Sequence, residues 1–356
     1  MSRTRILYMA DRAALFSLKL IGALNILLVI SLLAMLAVAT GRARAEAPAC
    51  TGRDMIADLE RTDPAQLAEI RRQAATTLNG KGLLWKLEKA GQTPSFLFGT
   101  IHMTDPRVTS LTPAAQKAFD AAGTIVIETT DVLDQARMMA TIMAEPDLTM
   151  FTDGTTLSSL LSPEDAAILA AGLDKRGIPL GSVAKMKPWM LSAMIALPAC
   201  ELGRKAGGAP VLDIKLAEDA KAGGKQLEGL ETAVSQLRAM ASLPIDLHMK
   251  SLVETLKIGD RMDDVVETMI VLYQSGDVGM YWPLFKAVLP NGGDDSGYAE
   301  FEEAMINSRN RLMVEHAEPI LARGNSFIAV GALHLPGPNG LIELLRKDGY
   351  TATAVD

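Results

Sequence analysis

Aromatic side chains are scarce in this chain, at 4% of 356 residues, so its core must rest on aliphatic residues and on 19 methionines. Positive charge is short too. Thirty-five Lys and Arg stand against 42 Asp and Glu, for a net charge of −7. That balance argues against a nucleic-acid partner, whose contact surface needs a cationic excess. Long charge runs and low-complexity tracts are absent, so most of the chain is expected to fold, and 49% hydrophobic residues are ample for a core. No Gly-x-Ser-x-Gly elbow, phosphate loop, dinucleotide fingerprint or His-Glu-x-x-His occurs, which removes the chemistries those motifs carry. The two cysteines lack metal-ligand spacing.

Histidine is scarce as well, with four in the chain, yet two of them end a Gly-x-x-His: "GTIH" at 99–102 and "GALH" at 331–334. With 29 glycines in 356 residues, a Gly three places before a given His arises by chance about 8% of the time. The repeat therefore needs support from its surroundings.

The first segment stands apart. Arg3, Arg5, Arg12 and Lys19 precede the apolar run "LIGALNILLVISLLAMLAVAT" at 20–40, and Ala43-Arg44-Ala45 offers a cleavage step before Glu46. Residues 1–45 read as a signal peptide or as an N-terminal membrane anchor; the run is long enough to span a bilayer. Under both readings residues 46–356 form one exported domain, periplasmic or held at the inner membrane facing the periplasm. Membrane contact is expected only through the N-terminal segment. In an oxidising compartment Cys50 and Cys200 are expected to pair, the alternative being two separate buried thiols.

Farther along, "SFLFGTIH" at 95–102 reads as a buried strand running into a turn. A helix follows, with Thr112 as N-cap, Pro113 first and Gly123 as its stop. "TIVIETTD" at 124–131 is a second strand-like run. Strand, helix and strand in that span form a βαβ unit with parallel strands. His102 and Glu128 then each end a strand at the edge where open α/β sheets bind ligands. The middle is helical, with Ser162 capping a helix at Pro163 and a Met186/Met190/Met194 stripe read as core or flexible cover. "KQLEGLE" at 225–231 reads as a strand, residues 245–290 as helix and "PNGGDDSG" at 290–297 as a loop. A helix near 299–322, the strand "SFIAVGALH" at 326–334 and a last helix, "LIELLRKDG", close the chain. The expected fold is α/β: a mixed, mostly parallel central sheet flanked by many helices, with two related strand–turn halves each carrying a Gly-x-x-His.

His102, Glu128 and His334 are the central candidates. Two imidazoles and a carboxylate can hold a divalent ion with a position left for water; without metal, Glu128 can act as a base while a histidine polarises the substrate. Arg309 falls on the apolar stripe of its helix and so needs an anionic partner: Glu128, a substrate carboxylate or a structural acid. Asn310 is a weaker candidate beside it. Asp213 and Glu231 read more simply as a helix-terminus charge and a turn residue, and His248 and His316 as ordinary helix residues.

These stretches resemble the TraB/GumN family, grouped with the Tiki-type proteases. The resemblance is carried by "LLWKLEKAGQTPSFLFGTIH", "IVIETTD", "LDIKLAEDAKAGGKQLEGLET", "SRNRLM" and "FIAVGALHLPGPNGLIELLRKDGY" over roughly residues 50–356. It implies a fold distantly akin to erythromycin esterase and the haem-associated ChaN-like proteins. It implies active-site positions at His102, Glu128 and His334, with Arg309 and Asn310 matching the family's Arg-Asn step. The animal Tiki members imply a metal-dependent peptidase using a divalent ion of the Mn, Co or Zn class and a peptide or small-molecule substrate. Two other functions stay open: metal-free hydrolysis of an ester-type bond, and binding of a periplasmic ligand such as haem without turnover.

Overall fold

Six short strands hydrogen-bond in the order β4-β3-β5-β2-β1-β6: β1 is Leu84–Glu88, β2 Ser95–Thr100, β3 Thr124–Ile127, β4 Gln226–Gly229, β5 Ser326–Gly331 and β6 Thr351–Ala354. The computed structural model describes residues 49–288 and 295–355. β4, β3, β5 and β2 run parallel, and β1 pairs antiparallel with both β2 and β6. The sheet is thus mixed and mostly parallel, as expected. β2 and β3 are parallel but do not touch, because β5, from the end of the chain, lies between them.

Burial explains why these strands form. β3 is buried throughout and β5 nearly so, which fits strands covered on both faces by helices. Alternate side chains go to opposite faces. Phe98, Ile125, Ile127, Phe327 and Ala329 join a core with Ala115, Phe119, Leu216 and Tyr273. Leu97, Val126, Ile328 and Val330 join one with Met313, Ile320, Leu341 and Leu345. A third cluster, around Leu169, Leu173, Leu191 and Leu252, takes nothing from the sheet, and Met186 and Met194 pack against it. The helix Pro113–Ala121 begins as read: Thr112 accepts from the Ala115 N–H and Pro113 leads.

Several expectations change. β5 stops at Gly331, and Ala332–His334 form a 3-10 turn, so His334 lies just past the strand. β1, β6 and the helices Met55–Thr62 and Pro64–Ala74 add elements the sequence pattern left unread. Residues 290–294 of the expected loop lie outside the described residues. Residues 295–297 instead open a helix, Asp295–Glu302, as acidic residues and serine favour helix starts. It runs through a π-helical turn, Glu303–Asn307, into the helix Ser308–Arg323. The expected signal peptide or anchor at 1–45 also lies outside the described residues. Among the described residues no helix is long and apolar enough to cross a membrane.

Cys50 and Cys200 form a disulfide, with an S–S distance of 2.00 Å. It ties the start of the described chain to the helix Ala199–Ala206. Beside it Glu201, fully buried, accepts from the backbone N–H and the hydroxyl of Thr104 and from Arg204. Lys205 of the same helix donates to the carbonyl of His102. Closing a loop of 150 residues is worth about 4–5 kcal/mol in the chain-entropy model. Cys200→Ser is therefore expected to lower unfolding free energy by up to that amount in equilibrium denaturation; an unchanged midpoint and slope would contradict this.

Candidate active site

Three parallel strands end at one edge, and each delivers one group. His102 follows β2, Glu128 follows β3, and His334 sits in the 3-10 turn after β5. The two imidazoles approach the same carboxylate oxygen: His102 Nε2 and His334 Nε2 each stand 3.9 Å from Glu128 Oε1. That is too far for a hydrogen bond. The His102 side chain is 60% exposed, whereas His334 is 4% and Glu128 7% exposed, so the group opens to solvent on the His102 side.

Each imidazole is held from behind. His102 Nδ1 lies 3.1 Å from Asp213 Oδ2, and the Thr100 hydroxyl donates to the other oxygen of that carboxylate at 2.7 Å. A carboxylate only accepts, so the proton is on His102 Nδ1. His334 Nδ1 lies 2.6 Å from Asn310 Oδ1. The Asn310 amide donates to the carbonyls of His334 and Asn339, which fixes its oxygen toward the ring. His334 therefore also carries its proton on Nδ1. Both Nε2 atoms turn toward Glu128, and in the neutral rings their lone pairs can accept a proton or a cation.

Glu128 is gripped on its other sides. Its Oε1 accepts from the Gly331 N–H at 2.7 Å; its Oε2 accepts from Arg309 Nη2 at 2.7 Å and Gln236 Nε2 at 2.9 Å. Arg309, 8% exposed, also grips Glu231 through Nε and Nη2. On its helix stripe Met313 and Ile320 are buried as expected, while Leu312 is exposed.

The glycines of the two motifs differ in purpose. A side chain on Gly331 would meet Glu128 Oε1 at 3.2 Å, His334 Cδ2 at 3.6 Å and His102 Nε2 at 3.7 Å. Its bare Cα leaves the space all three groups border. A side chain on Gly99 would strike Leu335 at 2.8 Å and Ala332 at 3.0 Å, so Gly99 lets the His334 turn lie against β2.

Electrostatics follow from these contacts. Burial opposes ionisation of Glu128, but His334, His102 and Arg309 outweigh it and bring its pKa down to about 2. Burial dominates at His334 and lowers it to about 4, so the ring is neutral at pH 7. Burial also works against protonation of His102, but Asp213, by charge and hydrogen bond, and then Glu128 prevail and raise it to about 9. Asp213, Glu128 and Glu231 bring three negative charges against one from Arg309, a formal balance of −2 before the imidazoles are counted.

Among the described residues no group of three or more His, Cys, Asp and Glu is assembled as a formed metal site. The donor set nonetheless fits one: two neutral-capable imidazoles with Nδ1 anchored, a carboxylate oxygen between them, a glycine-made space beside all three, and a surplus of negative charge.

All five residues singled out in the sequence, His102, Glu128, Arg309, Asn310 and His334, meet here. Thr100 and Gln236 were missed. Asp213 and Glu231, read as a helix-end charge and a turn residue, belong to the group as well. Asp213 carried the signal that found Arg309, a charged residue among buried neighbours on one helix face, here Leu212, Leu216 and Ala217. His248 and His316 lie in helices and bond backbone carbonyls, as expected.

A family profile described as the TraB/PrgY/gumN family matches residues 83–354, which include every residue of this group. The chain is 25% identical over 312 residues to "Metalloprotease TIKI1" of Danio rerio, covering 75% of this chain and 62% of that protein. It is 25% identical over 304 residues to "Metalloprotease TIKI2" of Danio rerio, covering 72% and 57%. To "Metalloprotease TIKI1" of Homo sapiens it is 24% identical over 321 residues, covering 75% and 60%. The chain thus spans about 60% of the length of these relatives. No solved structure matches.

In chelated protein, NMR titration should find one imidazole protonated up to about pH 9 and another neutral down to about pH 4. Asp213→Asn should return the first toward its ordinary 6.5. Because that pKa is raised on folding, its stabilising contribution is full below about 6.5 and is lost as pH rises through about 9. His102 and His334 both titrating near 6.5 would refute this account.

Proposed function

Since the chain belongs to the TraB/PrgY/gumN family, we propose that it is an exported metal-dependent peptidase whose site is the His102–Glu128–His334 group. The observation that carries this reading is the aim of two Nδ1-anchored imidazoles at one ionised carboxylate oxygen. The names of the relatives, all metalloproteases, support it. The disulfide and the apolar run at 20–40 support export.

His102, His334 and Glu128 would hold a divalent ion of the Mn, Co or Zn class. When bound, such an ion supplies a Lewis acid and lowers the pKa of a water. The protein's own residues do the rest. Asp213 and Asn310 fix the tautomers so that both Nε2 atoms face inward. Arg309, Gln236 and the Gly331 N–H keep Glu128 ionised and still. Since Arg309 is already shared between Glu128 and Glu231, its role here is to position Glu128. His102, on the exposed side, marks where a peptide enters.

A carboxylate held near pKa 2 is a weak base at neutral pH, which weighs against metal-free hydrolysis with Glu128 as general base.

The test uses His102→Ala, His334→Ala and Gly331→Ala, with metal content and cleavage of a peptide library as readouts. Each His variant should lose bound metal and at least about 100-fold in kcat/KM, since even supporting groups around a metal cost 10- to 100-fold. Gly331→Ala keeps every ligand but should lower activity by crowding Glu128. Full activity and metal content in both His variants would end the proposal. Turnover that survives chelation would favour the metal-free reading.

A further inference from the structure

Apart from the sheet edge, the helices Pro188–Ile195, Ile245–Ile258, Tyr281–Val288 and Asp295–Glu302 enclose a cavity of about 470 Å³. Three of them line it with residues three apart, which share one helix face: Trp189 with Ser192, Trp282 with Phe285, and Tyr298 with Phe301. Trp282 meets the rings of Phe285, Tyr298 and Phe301 edge-on at 5.8–6.1 Å. The chain has 8 Phe, 3 Trp and 5 Tyr, and five of these 16 rings line this one cavity. In a chain so poor in aromatic residues, five rings on one cavity wall are a large share.

The second observation concerns hydrogen bonds. Among the described residues, three buried side-chain polar atoms lack a partner: Trp189 Nε1, Ser192 Oγ and the Tyr298 hydroxyl. All three belong to this cavity's wall. Buried polar groups are normally satisfied, and a cluster of exceptions in one cavity marks a place built for a partner from outside. The indole N–H can only donate, and both hydroxyls can donate, so one partner able to satisfy all three presents acceptors. The wall carries one Lys and one Glu, Lys250 and Glu254, whose formal charges cancel, so a neutral acceptor fits better than an anionic one. An apolar body with neutral acceptors beside it describes a bulky hydrophobic amino-acid residue flanked by amide carbonyls.

A second hollow shares a wall residue with the cavity and borders the residues behind Glu128. Leu243 lines both the cavity and this hollow of about 660 Å³, whose wall includes Arg309 and Glu231, the pair behind Glu128. The π-helical turn Glu303–Asn307 borders that second hollow, and such turns are frequent at functional sites.

We propose that the aromatic cavity is a binding subsite for a bulky apolar residue of a peptide, with the flanking carbonyls accepting from Trp189, Ser192 and Tyr298. Naming that peptide a substrate rests on the peptidase reading; binding in the cavity does not.

The probe is N-acetylphenylalanine amide, titrated into the full chain with its disulfide intact. Fluorescence reports binding directly, since two of the three tryptophans line the cavity and Trp85 lies in a separate core. The expected result is a saturable spectral change. Tyr298→Phe and Ser192→Ala, each checked for native circular dichroism, should weaken binding by about 3- to 10-fold, as loss of one net hydrogen bond does. His334→Ala should bind the probe as the unaltered chain does. No saturable change, or equal binding by both hydroxyl variants, would overturn the proposal. So would saturable binding of laurate without binding of the amide, which would make the cavity a fatty-acid site. If the His variants keep full peptidase activity while the amide still binds through Ser192 and Tyr298, the metallopeptidase reading falls and the subsite stands.

Discussion

One ionised carboxylate organises the functional edge of this protein. Glu128 leaves β3 and is held by a backbone N–H from β5, a guanidinium from the helix Ser308–Arg323 and an amide from the helix Ala233–Ala241. A buried carboxylate is tolerated only when its charge is answered and its lone pairs are used. Meeting that requirement has drawn three separate stretches of chain to one point. The imidazoles face the one carboxylate oxygen that Arg309 leaves open.

The supports form a second ring. Asp213, Thr100 and Asn310 never reach the open side, yet they decide which nitrogen of each imidazole faces Glu128. Glu231 plays the same part for Arg309. A His–Glu–His triplet without these partners would have rotatable rings and undecided tautomers; with them, its donor atoms are preset.

Much of this was legible in the sequence because the signals were local and physical. Short buried apolar runs and a capped helix start gave the βαβ unit. The helical crossover made β2 and β3 parallel, and strand ends at the same edge then placed His102 beside Glu128. Arg309 showed itself as a charge on an apolar helix stripe. What stayed hidden depended on pairing across long distances. Asp213 carries a charge on an apolar helix face and Glu231 looks like an ordinary turn acid, but nothing nearby in sequence reveals that they face His102 and Arg309. Gln236 sits in a capped helix whose capping explains its neighbours but not itself. β6 gains its identity only by pairing with β1, over 250 residues away in the chain. The aromatic cavity was invisible for the same reason, since its rings come from helices separated in sequence.

The position of β5 sets the order in which this molecule can become competent. β5, which leads into the His334 turn, comes long after β2 and β3 in sequence, yet it lies between them in the sheet. Until it inserts, β2 and β3 have no shared neighbour, Glu128 lacks its backbone donor and the second imidazole is missing. A chain cut before residue 326 thus cannot assemble this group. The meeting of His102, Glu128 and His334 thus waits on the placing of a single strand.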